Sequence, residues 1–346
     1  MMGTFSNQPV VTDIASARRP VLAADVGGTH ARVALVYPQG PAQAAVQLLC
    51  HRRYVGAEWP SLAAILKDFL ATHAYLAPLG VERCAIAIAG YVLNDQVANS
   101  NLPWPVALGD IRAVAGDALE VVNDFEAVAF ASQFIDPAEA IAVLPGIPGG
   151  TRGPVVVMGP GTGLGSAVLL PGDGQATVLP TEAGQIAFAP GDEREAAILR
   201  VLARTRPYVS VESLLSGPGL LATYRALAEL DGRDASLATP GEVSAAGMAG
   251  TDPTAHAALD VFCAVLGGFV GDLAVLYGAH GGVFLAGGIL PQISDFVLAS
   301  RFRERFFNKG VMRPFLERVP VWLVEHGHLG VLGAATMRAG SRVGSR

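Results

Sequence analysis

Lysine is nearly absent from this chain. Its 346 residues include only two lysines, Lys67 and Lys309, and neither follows a glycine-rich loop. The G-x-x-x-x-G-K-[ST] loop of P-loop NTPases is therefore missing. No glycine cluster satisfies G-x-G-x-x-G, which argues against a Rossmann dehydrogenase. Both common nucleotide-binding folds are thereby disfavoured.

Cysteine is also scarce, and positive charge is not concentrated anywhere. The three cysteines, Cys50, Cys84 and Cys263, form no C-x-x-C pair. An odd number without such a pair argues against a disulfide scaffold or a zinc site, and it favours a reducing compartment, the cytoplasm. The net charge is −6 and the basic residues are scattered. Nucleic acid is therefore excluded as an expected partner.

Targeting and membrane signals are missing as well. Residues 1–20 lack an apolar core segment, and they are predicted to form a flexible tail rather than a signal peptide. The apolar stretch 261–290 is interrupted by Asp272 and His280 and becomes β-rich in its second half. A buried helix followed by a buried strand is the prediction, and no membrane partner is expected.

The chain is long enough for two α/β domains with a cleft between them. Two hairpins are predicted, 21–25 with 31–37 and 155–159 with 166–170, each around a glycine-rich turn, which suggests a faint internal repeat. Further predictions are a strand near 47–55, a helix after Pro60, a strand over 119–124 ending at Asp124, and a helix from Phe125 to Phe134. Beyond these, residues 192–230 are predicted to be mostly helical with a break at 217–219, followed by a long helix over 254–279 and a last helix over 329–340.

The first turn has the composition of an anion site. Glycines at a tight turn let backbone N–H groups point at a phosphate, and a threonine hydroxyl adds a donor. Asp25 at the strand end can hold Mg²⁺ through water. An ordinary hairpin turn explains the same string equally well. The candidate residues are Asp25, Val26, Gly27, Gly28 and Thr29.

Two later glycine clusters extend this pattern. Gly161, Thr162 and Gly163 form a second candidate phosphate turn, although glycines also pack closely within sheets. Gly287 and Gly288 follow a predicted strand, where bare backbone would let a flat adenine lie against the chain, or where a plain turn is formed. Together the clusters predict ATP as a ligand.

Asn123 and Asp124 lie where a strand gives way to a helix. The carboxyl ends of strands in open α/β sheets face the ligand crevice, which makes Asp124 a candidate base, although Asp is also a common helix N-cap. Hydrogen-bonding groups suited to sugar hydroxyls occur elsewhere in the chain, although Glu182 and Glu212 taken singly are ordinary surface acids. The candidate sugar contacts are Asn101, Asn123, Asp124, Glu182 and Glu212.

As a group, these motifs resemble those of bacterial glucokinases. They occur in that family's order: Asp25-Val-Gly-Gly-Thr29, Asn101-Leu-Pro-Trp104, Val122-Asn-Asp-Phe125, Gly161-Thr-Gly-Leu-Gly165, Ser216-Gly-Pro-Gly219 and Leu285-Ala-Gly-Gly-Ile289. The resemblance implies an actin-like ATPase fold, with two ribonuclease-H-like α/β domains around a central cleft. The expected division is a tail over 1–20, a small domain over 21–134 completed by a C-terminal helix over 329–346, and a large domain over 135–328.

The resemblance also implies an activity: ATP- and Mg²⁺-dependent phosphorylation of glucose at the 6-hydroxyl, by a homodimer. Asp124 matches the catalytic base, and Asn101, Asn123, Glu182 and Glu212 match sugar contacts. Relatives usually carry Glu-x-Gly-His in the sugar site, whereas this chain has Gln185 at the last position. A glutamine can still donate a hydrogen bond to a sugar oxygen, but strict preference for glucose becomes an open question.

Three alternatives remain open at this stage. The chain can be a kinase for another hexose or one that uses polyphosphate as donor. A non-catalytic sugar sensor is disfavoured by the intact Asp124, and a sugar-sensing repressor by the short segment before the first strand, which cannot hold a helix-turn-helix domain. A chaperone-type ATPase is disfavoured because no separate peptide-binding domain is evident.

Overall fold

The computed structural model describes most of the chain, in seven segments. These are residues 19–37, 46–98, 102–147, 153–172, 176–324, 327–338 and 341. Its contacts divide the chain into two compact units. Unit 1 comprises Met1–Phe134 and His328–Arg338, and unit 2 comprises Ile135–Gly327 and Ala339–Arg346. The tail expected over 1–20 lies outside the described residues except for its last two positions.

Unit 1 is built on a five-stranded sheet and a smaller three-stranded one. Its strands are β1 (Val21–Val26), β2 (His30–Tyr37), β3 (Gln47–Val55), β4 (Cys84–Ile88), β5 (Tyr91–Leu93), β6 (Gln96–Ala98), β7 (Val106–Ala107) and β8 (Leu119–Val122). The larger sheet has the order β3-β2-β1-β4-β8, and the smaller has β5-β6-β7. The first predicted hairpin and the strand near 47–55 are confirmed. Because β1, β4 and β8 run parallel, their carboxyl ends share one edge.

Three helices of unit 1 precede the chain's passage into unit 2. They are α1 (Leu62–Thr72), α2 (Leu108–Ala115) and α3 (Asp124–Ala131). The side chain of Ser61 caps α1, which buries Leu62, Ile65, Leu66 and Phe69 at helical spacing. The predicted end of the strand at Asp124 is wrong, since β8 ends at Val122. Asn123 is already the extended N-cap of α3, and Asp124 is the helix's first residue.

Unit 2 contains a six-stranded sheet with the order β12-β11-β10-β13-β14-β9. The strands are β9 (Ile141–Leu144), β10 (Val155–Pro160), β11 (Leu164–Leu170), β12 (Thr177–Thr181), β13 (Gly282–Leu285) and β14 (Val321–Leu323). The helices are α4 (Glu193–Leu202), α5 (Gly217–Leu230), α6 (Pro240–Ala249), α7 (Pro253–Tyr277), α8 (Ser294–Ala299), α9 (Phe302–Phe307) and α10 (Arg313–Leu316). The second predicted hairpin, β10 with β11, is confirmed.

Helix α7 is the central helix of unit 2. It is the single helix of the described segments that is long and apolar enough to cross a membrane, yet 78% of that window is buried inside the protein. Phe262, Leu266 and Val270 are among its residues in the core of the unit. The predicted buried helix followed by a strand, here β13, is confirmed.

The expected break at 217–219 is wrong, because these residues begin a helix. Ser216 is the N-cap of α5, and its Oγ accepts a hydrogen bond from the Gly219 N–H at 3.0 Å. Proline in the first turn of a helix loses no intrahelical hydrogen bond, so Pro218 fits there. The preceding stretch, 203–216, contains a 3₁₀ turn over Val211–Ser213 rather than α-helix.

The last helix, α11 (Leu329–Thr336), belongs to unit 1. A Cβ on Gly333 would overlap the backbone of Ala127 in α3, so the two helices are in direct backbone contact. The buried guanidinium of Arg83 donates from Nη2 to the carbonyls of Ala335 (2.6 Å) and Met337 (3.1 Å) at the carboxyl end of α11. Cationic donors at that end satisfy carbonyls that the helix leaves unpaired.

Replacing Gly333 by alanine should destabilise unit 1, although alanine is the better helix former. The added methyl would collide with the Ala127 carbonyl, and such overpacking costs about 1–3 kcal/mol. Gly241→Ala in α6, at an exposed position where a Cβ meets nothing within 4 Å, is the matched control and should be neutral or slightly stabilising. Thermal unfolding followed by circular dichroism measures both, and equal melting temperatures would contradict the close packing.

Candidate active site

The first glycine turn joins β1 to β2 in unit 1. The Gly27 N–H donates to the His30 carbonyl at 2.9 Å, and the Thr29 carbonyl accepts from the Gly56 N–H at 2.9 Å. Gly27, Gly28 and Thr29 are exposed, whereas Val26 is buried at the end of β1. The turn is thus anchored at both ends, and its middle is accessible to a ligand.

Asp25 is buried directly before this turn, at 4% exposure. Arg32 Nη1 lies 3.4 Å from Asp25 Oδ2 and forms an ion pair with it. Gly330 of α11 packs against the carboxylate, since a Cβ there would lie 2.7 Å from Oδ2. The carboxylate is therefore held between β2 and α11.

Asn123 and Asp124 lie at the junction of β8 and α3. The Asn123 Oδ1 accepts hydrogen bonds from the N–H groups of Phe125 (2.9 Å) and Glu126 (3.2 Å). Asn123 is therefore the N-cap of α3, a role for which the sequence had also made Asp124 a candidate. Asp124 Oδ1 accepts from the Phe125 N–H at 2.9 Å, and the residue is half-buried.

Asp25 and Asp124 lie along one edge of the larger sheet. Asp25 pairs with Ala87 across β1 and β4, and Ala87 pairs with Val122 across β4 and β8. Asp124 follows Val122 by two residues. Two strand spacings separate β1 from β8, about 10 Å. Unit 1 thus carries an exposed amide turn and a half-buried carboxylate on the same edge.

The second glycine turn joins β10 to β11 in unit 2. The Gly161 N–H donates to the Gly163 carbonyl at 2.7 Å, and the Gly161 carbonyl accepts from the Gly217 N–H at 2.8 Å. The start of α5 is therefore bonded to the turn. Beside it lies a small cavity of about 190 Å³, lined by Thr162, Arg206, Glu212, Ser213, Ser216, Pro218 and Gly219.

Glu212 connects this turn to the candidate sugar contacts. Its Oε2 accepts from the Leu164 N–H at 2.8 Å, and its Oε1 accepts from Gln185 Nε2 at 3.0 Å. A Cβ on Gly163 would lie 2.8 Å from Oε2, so a side chain there would require the Glu212 carboxylate to shift. One carboxylate therefore fixes both the second glycine turn and the Gln185 side chain.

The Glu182-Ala-Gly-Gln185 segment folds into a 3₁₀ turn over Ala183–Gln185. The Gln185 N–H donates to the Glu182 carbonyl at 2.9 Å, and both residues are exposed. Gly184 permits close contact with β11, since a Cβ would lie 2.7 Å from the Leu164 carbonyl oxygen. Unit 2 thus brings Glu182, Gln185 and Glu212 together beside one glycine turn.

Two residues at this site were missed by sequence reasoning. Tyr208 donates its hydroxyl to the Gln185 carbonyl at 2.7 Å, and Arg206 lines the cavity beside Thr162. Neither occurs in a motif, and both lie in the stretch expected to be helical. Helix α4 ends at Leu202, before these residues, and the bridge between Ala187 and Ser210 holds the following segment beside Gln185.

Gly287 and Gly288 follow β13, the neighbour of β10. Gly287 has a positive φ of 93°, and a Cβ there would lie 2.6 Å from the Pro160 carbonyl oxygen. Gly288 is exposed, and its carbonyl accepts from Gln292 Nε2 at 2.7 Å. Bare backbone is thereby exposed next to the strand that leads into the second glycine turn.

Asn101, the remaining candidate sugar contact, lies outside the described residues. Within the described segments, no three His, Cys, Asp or Glu side chains are grouped so that they could hold a metal ion. A protein-built metal cage is therefore not a feature of this part of the chain.

The paired α/β units and their glycine hairpins define an actin-like ATPase fold of the sugar-kinase type. A solved glucokinase from an Antarctic psychrotroph matches with a TM-score of 0.81 and 35% identity, over 92% of this chain and 98% of that one. The Glucokinase family model matches residues 22–340. The chain therefore belongs to the glucokinase family, as the motifs predicted.

Curated relatives agree with this assignment. A glucokinase-like protein of Xylella fastidiosa (strain Temecula1) is 46% identical, over 91% of this chain and 93% of its own. A glucokinase of Paramagnetospirillum magneticum is 40% identical, over 91% of this chain and 97% of its own. The similarity thus extends along both units.

Gly163→Ala should disturb Glu212 and lower the stability of unit 2 in the absence of ligands. The methyl would displace Oε2 from the Leu164 N–H, and a lost hydrogen bond to a charged group costs about 1.5–3 kcal/mol. Gly161→Ala is the control in the same turn, because a Cβ there meets nothing within 4 Å. Differential scanning calorimetry should show a lower melting temperature for Gly163→Ala alone. A similar melting temperature for both variants would show that Glu212 does not depend on Gly163.

Proposed function

We propose that this protein transfers the γ-phosphoryl group of ATP to the 6-hydroxyl of glucose, with Asp124 as the general base. The products are glucose 6-phosphate and ADP. The observation that carries the proposal is the placement of a half-buried carboxylate at the start of α3, on the same sheet edge as an exposed glycine turn. Membership in the glucokinase family supports phosphoryl transfer to glucose as the reaction in which this carboxylate acts.

The role of Asp124 in this reaction is that of a proton acceptor. As the sugar hydroxyl attacks the γ-phosphorus, Asp124 accepts its proton. The side chain lies in the first turn of α3, and its carboxylate form is the form that can accept a proton. Since Asn123 caps the helix, Asp124 is not needed as the cap.

Backbone amides bind the phosphates of the donor in this proposal. The two turns, Asp25–Thr29 and Gly161–Gly163, direct N–H groups at phosphate oxygens, and the Gly287-Gly288 backbone lies against adenine. Mg²⁺ fits a site with a single carboxylate, because it keeps several waters and is held largely by substrate phosphates. Asp25 is the residue that would hold it, through water. The ion would supply charge neutralisation on the phosphates.

Sugar hydroxyls are recognised by the remaining candidates. Glucose presents paired donors and acceptors, and amide and carboxylate side chains match them. The proposed contacts are Asn101, Asn123, Asp124, Glu182, Gln185 and Glu212. Gln185 and Glu212 are already hydrogen-bonded to each other, so the sugar would meet an ordered pair.

The proposal also covers the cellular location, the oligomeric state and the metabolic role of the enzyme. All three cysteines are free, which suits a reducing cytoplasm. A homodimer and a role in glycolysis follow from the family resemblance. We also propose that units 1 and 2 are the two ribonuclease-H-like domains of the fold.

Asp124→Asn should lower kcat by about 10²–10⁴, the range for loss of a general base, with little change in ATP affinity. Asparagine keeps the shape and the acceptor for the Phe125 N–H but cannot take a proton. Asp110→Asn is the matched control, because Asp110 is an exposed acid in the first turn of α2. A coupled assay for ADP measures both variants, and unaltered turnover of Asp124→Asn would remove Asp124 from this role.

A second candidate function is favoured by Gln185, namely phosphorylation of a hexose other than glucose. Gln185→His should lower the glucose KM or leave it level, because a neutral imidazole N–H can donate to Glu212 as the amide does. Assays over several hexoses, with ATP and polyphosphate as donors, provide the comparison. A large loss of glucose activity, with a different hexose preferred by the unaltered protein, would show that Gln185 is adapted to that sugar.

A further inference from the structure

Two arginines face each other across the strands that follow the first glycine turn. The register of β2 with β3 pairs Arg32 with Arg53. Directly opposed residues of an antiparallel pair project on the same face, and like charges in that position destabilise a sheet. The pair therefore needs negative charge nearby.

The protein supplies that charge to Arg32 only. Asp25, opposite Arg32 on β1, forms the ion pair with it. Arg53 instead places Nη2 at 2.9 Å from His30 Nε2. Within the described segments, Arg53 forms no ion pair with a carboxylate. Two guanidinium groups thus share one carboxylate on this face.

His30 does not supply the missing negative charge. Burial and the neighbouring charges of Arg53 and Arg32 lower the pKa of His30 below its ordinary value, so the ring is neutral near pH 7. A neutral ring nitrogen accepts a hydrogen bond from the guanidinium. The ring can therefore orient Arg53, but an excess positive charge remains.

That excess charge lies beside the phosphate turn. His30 is the residue directly after Thr29, and its carbonyl closes the turn by accepting from the Gly27 N–H. The guanidinium of Arg53 contacts the His30 ring and is exposed. Arg53 is thus connected through His30 to the turn whose amides we propose as phosphate donors.

We propose that Arg53 is a phosphate-binding residue for the phosphoryl donor, oriented by His30. The inference rests on the proposed function and adds a side chain to its backbone amides. A guanidinium presents a planar fork of donors that matches phosphate oxygens. A bound phosphate would also supply Arg53 with the negative charge that Asp25 supplies to Arg32.

The neighbouring Arg52 provides a matched control on the same strand. Side chains alternate along a strand, so Arg52 projects on the other face. There it pairs with Asp68 at 3.0 Å. Arg52→Gln and Arg53→Gln thus remove the same charge from adjacent positions, only one of which faces the turn residues.

Steady-state kinetics with glucose should separate the two variants. Arg53→Gln should raise the KM for ATP about tenfold to a hundredfold, the range for a lost charge-assisted hydrogen bond, with the glucose KM within about twofold. Arg52→Gln should leave both constants unchanged. Arg53→Lys, which keeps the charge, should lie between Arg53→Gln and the unaltered protein.

Two competitive inhibitors against ATP, inorganic triphosphate and adenosine, show whether Arg53 contacts the phosphates or the nucleoside. The inhibition constant of triphosphate should rise with the ATP KM in Arg53→Gln, whereas that of adenosine should not change. If Arg53→Gln and Arg52→Gln give equal values for ATP and triphosphate, the inference is wrong. An equal rise for adenosine would also overturn it, because adenosine has no phosphate.

His30→Ala tests the orienting role. It should raise the ATP KM less than Arg53→Gln does, leave kcat unchanged, and add nothing when combined with Arg53→Gln. Additive effects would mean that His30 does not act through Arg53. Failure of the proposed function would differ from failure of this inference. In the first case the unaltered protein would phosphorylate no hexose, and calorimetry of triphosphate binding would still compare Arg53→Gln with Arg52→Gln.

Discussion

The arrangement of unit 1 depends on how closely α11 can approach its neighbours. Gly330 lets the helix contact the Asp25 carboxylate, and Gly333 lets it contact the backbone of α3. Asp25 precedes the first glycine turn, and α3 begins with Asp124. A helix from the C-terminal part of the chain therefore contacts both the Asp25 carboxylate and the helix that begins with Asp124. Arg83 holds its carboxyl end through the carbonyls of Ala335 and Met337.

In unit 2, the carboxylate of Glu212 connects two parts of the candidate site. Glu212 accepts from a turn amide on one oxygen and from Gln185 on the other. Hydrogen bonds to a charged acceptor are stronger than neutral ones, so both partners are held firmly. A change in the Gln185 side chain is thereby linked through Glu212 to the second glycine turn. This link gives the glutamine at position 185 a consequence beyond the sugar contact that we propose for it.

Under the proposed function, the phosphates of ATP are recognised by local rather than overall charge. The chain has a net charge of −6 and only two lysines. Backbone amides at glycine turns carry no net charge, and they can point at phosphate without a cluster of basic side chains. Against that background, the opposed pair of Arg32 and Arg53 is a local excess of positive charge beside such a turn.

The sequence by itself determined the local elements. Both hairpins, the helix after Pro60, the buried α7 and the junction at Asn123 and Asp124 follow from patterns of neighbouring residues, as does membership in the glucokinase family from the order of the motifs. These features depend on residues a few positions apart, where periodicity, proline and glycine act directly. The bounds of elements were less accurate, because Asn123 rather than Asp124 caps α3 and Gly217 begins α5.

Only the tertiary structure decided the partners that are distant in sequence. The pairing of Gln185 with Glu212, the contact of Tyr208 with Gln185, and the return of α11 to Asp25 join residues far apart along the chain. The opposition of Arg32 and Arg53 likewise depends on strand register, which shifts every side chain to the other face if it slips by one residue. Such contacts are set by how whole elements pack, and no pattern of neighbouring residues encodes them.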